Sequence, residues 1–289
     1  SFPTQNRACI TPRVSPLFQR HSVDPGILYD YSMKLSVNHS QTLLDLLSAG
    51  QVQVDAIEWV DKLSPEVIRE ARAALPQIAF HFHPGRMRFS SKGVAHLREY
   101  LGLCPQSSQV SIHLAPLPMA ITYPAMRWGV YLPTMGAKSA VKRFVRQVRW
   151  LQYRCDQPVI LENMPTLHPT RYRFESEPAV IRDVLDQTGC SLLLDLAHAR
   201  IAAQARSLPV EDYLAALPLE KTAQIHLAGV RAKPDGRLYD AHQHLLEPDY
   251  QLLEWTLRRT RPAWITLEYF LEDPQALREQ ISKLRQFLN

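Results

Sequence analysis

The sequence predicts an α/β protein, a single (β/α)8 barrel with a metal site at the mouth formed by the C-terminal ends of its strands. Three observations carry this. Short runs of almost wholly apolar residues alternate with amphipathic segments along the 289 residues, as in a parallel sheet buried on both faces. The length suits one barrel of this kind. The runs also end in residues that bind metals: IAFHFHP, VSIHLAP, PVILENMP, SLLLDLAHA, AQIHLAG and AWITLEYF.

Taken in order, residues 1–24 are rich in Pro, Arg, Ser and Gln without period and read as an irregular N-terminal arm or lid; 25–289 read as the catalytic barrel domain. A first strand is expected at 26–34 and a second at 53–60, carrying Glu58. Ser64-Pro65-Glu66 signals a helix start, and VIREARAAL continues it with helical spacing. The third strand, 77–83, carries His81 and His83, and the fourth, 109–114, carries Ser111 and His113. The segment 115–135 is long and lacks a clean period. It reads as a substrate-facing loop with Arg127, Trp128 and Tyr131 as contacts, or equally as a structural flap. Lys138, Lys142, Arg143, Arg146 and Arg149 then form a basic cluster on a helix, mostly a solvated face. A strand at 158–163 holds Glu162 and Asn163, and Ser176-Glu177-Pro178 opens the next helix. Strands at 191–195 and 223–227 follow, then the Asp240-x-His242 pair, a strand at 263–269, and a helix from Asp273-Pro274 through ALREQISKLRQFL.

Composition narrows the function. With 46% hydrophobic and 21% charged residues the chain can bury a large core, and its net charge of +5 is mild. The four cysteines show no CxxC spacing, which suits a reducing cytoplasm. No stretch reaches the roughly 20 apolar residues that span a bilayer, and residues 1–24 lack a signal-peptide core, so a cytoplasmic protein without a membrane partner is expected. Nucleic acid is disfavoured, because the cationic residues gather mainly on one helix.

The candidate ligands are His81, His83, His113, Glu162, Asp195, His198, His226, Asp240, His242 and Glu268. Imidazole and carboxylate without thiolate suit iron, zinc or manganese. Four carboxylates, Glu162, Asp195, Asp240 and Glu268, balance two divalent cations, so at least two metals are expected. In Asp195-x-x-His198 the strand ends at the Asp and the chain turns, returning the His to the same site or a neighbouring ion. In Asp240-x-His242, as in His81-x-His83, the i, i+2 spacing puts both side chains on one side of an extended segment. Glu58, Ser111 and Asn163 are placed to orient the imidazoles.

The order His, His, Glu, Asp-x-x-His, His, Asp-x-His, Glu resembles the three-metal signature of the endonuclease IV and xylose isomerase-like superfamily of TIM barrels, with His81 or His83 as the first member. The wording around the ligands, Leu161-Glu162-Asn163, Leu194-Asp195, His226-Leu227-Ala228-Gly229, Asp240-x-His242 and Leu267-Glu268, is similar to a second branch. That branch is the multinuclear non-haem iron-dependent oxidases, which include the methanobactin-biosynthesis oxidase. Its better-known members carry Asn where this chain has His198. The resemblance implies two or three iron ions and an O2-using oxidation of a Cys, Asp or Asn residue in a ribosomally made peptide, as in natural product biosynthesis. It also implies a separate peptide-recognition partner, since the sequence shows no spare domain. The alternatives are a zinc-dependent endonuclease IV-like phosphodiesterase and a sugar isomerase or epimerase of the same superfamily.

Overall fold

The computed structural model describes residues 33–60, 63–84, 89–114, 136–165 and 174–288. The chain divides into Ser1–Tyr31 and Ser32–Asn289. The arm expected at 1–24 and the loop with Arg127, Trp128 and Tyr131 lie outside the described residues.

The strands are β1 (Lys34–Asn38), β2 (Ala56–Val60), β3 (Ala79–His83), β4 (Val110–His113), β5 (Val159–Glu162), β6 (Ser191–Asp195), β7 (Thr222–Ala232), β8 (Leu238–Gln243) and β9 (Trp264–Glu268). Eight of them form a parallel wall in the order β3-β2-β1-β9-β7-β6-β5-β4, and β8 pairs antiparallel with the far end of β7. The outer strands β3 and β4 face each other, bridged by Phe82 N to Ser107 Oγ at 3.1 Å and by His83 Nδ1 to Ser111 Oγ. The result is a nearly closed TIM barrel.

Two of these elements differ from the sequence expectation. Most of the first strand's expected span, 26–34, lies outside the described residues, and the first described strand runs from Lys34 to Asn38. KLSVN has only two apolar residues, so its strand signal is weak, and pairing with β2 and β9 on both sides sets its place. The strand expected at 223–227 extends to Ala232, because β8 offers it a second partner.

Between the strands lie α1 (Gln41–Ser48), α2 (Pro65–Ala74), α3 (Ser91–Leu103), α4 (Ala137–Gln152), α5 (Pro178–Thr188), α6 (Leu196–Ala205), α7 (Val210–Ala216), α8 (Glu247–Leu257) and α9 (Pro274–Arg285). The three proline starts open α2, α5 and α9, where the missing N–H has no intrahelical partner to lose. Of these three helices only α9 has a side-chain cap, Asp273, which accepts from Gln275 N and Ala276 N. Ser64 makes no cap bond, and Ser176 instead accepts from Arg206 Nη2 at 2.9 Å. Helix α4 buries Val141, Phe144, Val145, Val148 and Leu151 and leaves Lys138, Lys142, Arg146 and Arg149 exposed.

Side-chain alternation then separates two cores. Leu35, Val37, Ile57, Trp59, Phe80 and Phe82 lie on one face of their strands and pack in the main hydrophobic cluster. Burying each such side chain fully stabilises the fold by about 1.5–3 kcal/mol. The other face carries Ser36, Glu58, His81, His83, Gln224, His226 and Thr266, all buried. Barrels of this size usually fill their interior with Val, Ile and Leu; a polar interior marks the site.

Candidate metal centre

Strand register brings the ligands together in pairs. On β4 and β5, His113 stands beside Glu162; on β6 and β7, Asp195 stands beside His226; and Ala228 of β7 pairs with Glu268 of β9. Glu162 Oε2 lies 3.2 Å from His113 Nε2 and 3.5 Å from His83 Nε2. His226 Nδ1 lies 3.5 Å from Glu268 Oε1, and His226 Nε2 is 3.2 Å from Glu58 Oε1. His242 Nε2 lies 3.2 Å from Asp240 Oδ2 and 3.3 Å from Glu268 Oε2.

Four triads have donor atoms within 4.8 Å of one another: three that share members, namely Glu58, His83 and His226, then His83, His113 and Glu162, then Glu162, Asp195 and His226, and a separate one of Asp240, His242 and Glu268. His81 is in none of them. It sits one step below His83, in register with Glu58, its ring edge-on to Trp264 at 4.2 Å between centroids. Of the two histidines left open by the sequence, His83 is the one placed among the other donors.

Local backbone geometry aims each group. Asp195 ends β6 and caps α6: its Oδ1 accepts from His198 N at 2.7 Å, leaving Oδ2 directed elsewhere. The Asp-x-x-His spacing is therefore an N-cap, and the first turn of α6 returns His198 to within 3.2 Å of Glu162 Oε1 and 3.7 Å of Asp240 Oδ2. Asn163 clamps this junction, its Nδ2 donating to Asp195 O at 3.0 Å and its Oδ1 accepting from Asp195 N at 2.8 Å. Its own carbonyl lies 2.9 Å from His198 Nδ1, so an Nδ1–H there leaves Nε2 toward Asp240. Ser111 Oγ engages His83 Nδ1 and so orients the ring with Nε2 toward Glu162.

Asp240 and His242 reach the centre by a route the extended reading did not foresee. Between β7 and β8 the register steps one residue, Gly229 to Val230, against three, Gln243 to Asp240. Ala241 and His242 are the surplus, and His242 takes φ +47°. The His242 ring stacks on Phe270 at 4.3 Å, with only 7° between planes. Gly229 makes this possible, since a Cβ there would come within 2.4 Å of Gln243 O and 2.5 Å of His244 O.

The charges are strongly interdependent. Burial would raise the Glu162 carboxyl, but His113, His198 and His83 around it hold it well below the usual range. For Asp195 burial dominates and pushes the carboxyl up to about 7. Burial likewise lowers His113 to about 4, leaving it neutral. Burial also opposes charge on His226, yet Glu58 and Glu268 raise it to about 10. Protons on these histidines and cations among the carboxylates compete for the same lone pairs.

The donor set fits metal. Glu58 Oε1, Glu162 Oε2, Asp195 Oδ2, His226 Nδ1 and Asp240 Oδ1 are buried atoms without a hydrogen-bond partner. Buried polar atoms are ordinarily paired, and here the orphans include at least one atom from each triad or its flank. All are nitrogen or oxygen, as hard and borderline divalent ions require. Residues the sequence did not single out are Gln224 and Phe270. Gln224 had a signal, standing two before His226 and therefore on the same strand face.

A family model described as "RiPP precursor modification enzyme MbnB/TglH/ChrH" matches residues 85–289. Curated relatives include a UPF0276 protein of Paraburkholderia phytofirmans, 32% identical over 47% of this chain and 50% of its own length, and one of Bordetella pertussis, 34% identical over 47% and 49%. The chain thus spans about half the length of these relatives. A UPF0276 protein of Psychromonas ingrahamii is 28% identical over 82% of this chain and 86% of its own. Among solved structures, a xylose isomerase-like TIM barrel protein from Mycobacterium smegmatis, in complex with magnesium, superposes with a TM-score of 0.55 at 15% identity, covering 89% of this chain and 96% of that one. The 3-keto-D-glucoside 4-epimerase of E. coli superposes at 0.52 with 18% identity, covering 88% and 99%. These two share the fold.

Proposed function

The chain belongs to the MbnB/TglH/ChrH family of RiPP precursor modification enzymes, and from this premise we propose that it is a multinuclear non-haem iron-dependent oxidase that uses O2 to modify a Cys, Asp or Asn residue of a ribosomally made peptide. The observation that carries the reading is the convergence of orphaned carboxylate and imidazole atoms at one barrel mouth. His83, His113 and Glu162 would hold one ion and Asp240, His242 and Glu268 another, with Asp195 and His226 between them. When bound, iron supplies a Lewis-acid seat for a substrate thiolate or carboxylate and the one-electron chemistry that O2 requires.

The protein's own residues do the rest. Ser111 and the Asn163 carbonyl fix which nitrogen of His83 and His198 faces the centre. Glu162, Asp195 and His226 are fully or almost fully buried, which excludes water from the inner side of the site. Phe270 covers one face of His242 at the outer side. We further propose that a separate partner protein delivers the peptide, and that the protein works in the cytoplasm, where Cys104, Cys155 and Cys190 are free thiols. Among the described residues, no helix is long and apolar enough to cross a membrane.

The test is elemental analysis and Mössbauer spectroscopy on anaerobically purified protein, followed by exposure to O2 with the precursor peptide encoded beside its gene and any partner protein. Two or more irons per chain and a mass change on the peptide are expected. Iron-loaded protein that leaves the peptide unaltered would sink the reading. His198 favours a second one, a zinc phosphodiesterase, because it adds a donor near Glu162 and Asp240; retained zinc and cleavage of abasic duplex DNA would establish it.

A further inference from the structure

We propose that Gln224 and Gln109, two uncharged residues at the floor of the centre, are positioning residues: they hold Glu58 against His226 Nε2 and so leave Nδ1 as the His226 atom offered to a metal. The inference rests on reading the mouth as a metal centre.

Gln224 is 2% exposed and lies on β7 two residues before His226, so both side chains enter the barrel. Its Nε2 is 2.9 Å from Glu58 Oε2, 2.8 Å from Thr266 Oγ1 and 3.0 Å from His226 Nε2. Its Oε1 accepts from Gln109 Nε2 at 2.6 Å. Gln109 precedes β4 and reaches Gln224 from below. The Glu58 carboxylate, which only accepts, fixes the amide: turned over, Gln224 would set its oxygen against that carboxylate.

An amide nitrogen has two hydrogens and here three neighbours. Glu58 Oε2 and Thr266 Oγ1, the two shortest, take them. His226 Nε2 is then the third, and its nearest carboxylate atom is Glu58 Oε1 at 3.2 Å, one of the orphaned oxygens. An Nε2–H pointing at Oε1 satisfies that oxygen. A bare nitrogen there would set two lone pairs against each other in a site closed to water. With Nε2 committed, the ring's remaining lone pair is on Nδ1. Nδ1 has no hydrogen-bond partner and lies 3.5 Å from Glu268 Oε1, on the side of the other donors. Glu58 thereby becomes the carboxylate behind a metal-binding imidazole rather than a ligand itself. This chooses between the two triads that contain His226, in favour of the one with Glu162 and Asp195.

The full-length chain loaded with zinc, which is diamagnetic, and labelled with 15N-histidine provides the test. The His226 ring, assigned by comparison with His226→Gln, is expected to show a protonated Nε2 and a zinc-bound Nδ1. Chelator competition on Gln224→Leu should show zinc affinity lowered about 10- to 100-fold. Gln109→Ala, which touches no group of the centre directly, should show a smaller loss in the same direction, and it carries the affinity test if the buried leucine prevents folding. Zinc on Nε2 overturns the inference, as does affinity within about twofold of wild type in both variants. Wild-type protein that takes up no zinc and no iron overturns the centre itself, and this inference with it.

Discussion

Asp195 shows how much one residue can be asked to do. Its Oδ1 caps α6 and its Oδ2 stays free of hydrogen bonds, so one carboxylate both starts a helix and faces the centre. The sequence shows the residue types and their Asp-x-x-His spacing, but not which oxygen or nitrogen faces which partner. That division depends on Asn163, 32 residues away, and on its carbonyl as much as its side chain. Glu175 was silent in the sequence for a related reason, as nothing local marks a glutamate for burial. It is 6% exposed, and burial pushes its carboxyl from 4.5 up to about 8. Its folded pKa lies above its unfolded one, so the stability it contributes is full below pH 4.5 and lost as pH rises through about 8. Glu175→Gln should therefore flatten the dependence of Tm on pH between those limits. At about pH 9 it should stabilise the protein by on the order of a few kcal/mol. Thermal unfolding across pH checks this; parallel curves for variant and wild type would contradict it.

Among the elements, helix starts were well marked, because Pro in a first turn is a local signal and α2, α5 and α9 each open on one. The β7–β8 hairpin was not. The sequence showed Asp240 and His242 as neighbours on an extended strand, whereas the structure reaches the same proximity through a register step and a left-handed residue. The signal for it was Gly229 in His226-Leu227-Ala228-Gly229, whose meaning depends on backbone 14 residues later. Gly229→Ala must push Gln243 and His244 away, and an overpacked site of this kind costs about 1–3 kcal/mol. We expect a lower Tm and less metal bound per chain, since Asp240 and His242 move with the strand. Calorimetry together with metal analysis measures both; full metal content at unchanged Tm would show that the close approach is not needed.

At the scale of the whole molecule, the barrel is what brings nine of the ten scattered candidates together. Candidate ligands from seven strands and from α6 meet there, and a cation bound only by the folded chain would stabilise it by mass action, about 2.7 kcal/mol at a free concentration 100 times Kd. Removing metal with a chelator should accordingly lower Tm, and returning it should restore the original value. The difference should shrink as pH falls, because protons compete with cations for the same imidazole and carboxylate lone pairs. A Tm indifferent to chelator at about pH 7.5 would contradict a metal-stabilised fold.

The sequence by itself determined the barrel and pointed to most of the residues that converge at its mouth. Both follow from short-range periodicity: apolar runs of strand length, helices between them, and ligating side chains at the strand ends. Only the tertiary structure decided that His83 rather than His81 joins the other donors, that Gln224 lies beneath His226, and that a bulge delivers His242. Alternation along a strand tells which face a side chain takes. Its neighbour on that face comes from a strand far away in sequence, as Glu58 meets Gln224 across 166 residues, and that distance is set by register and barrel closure.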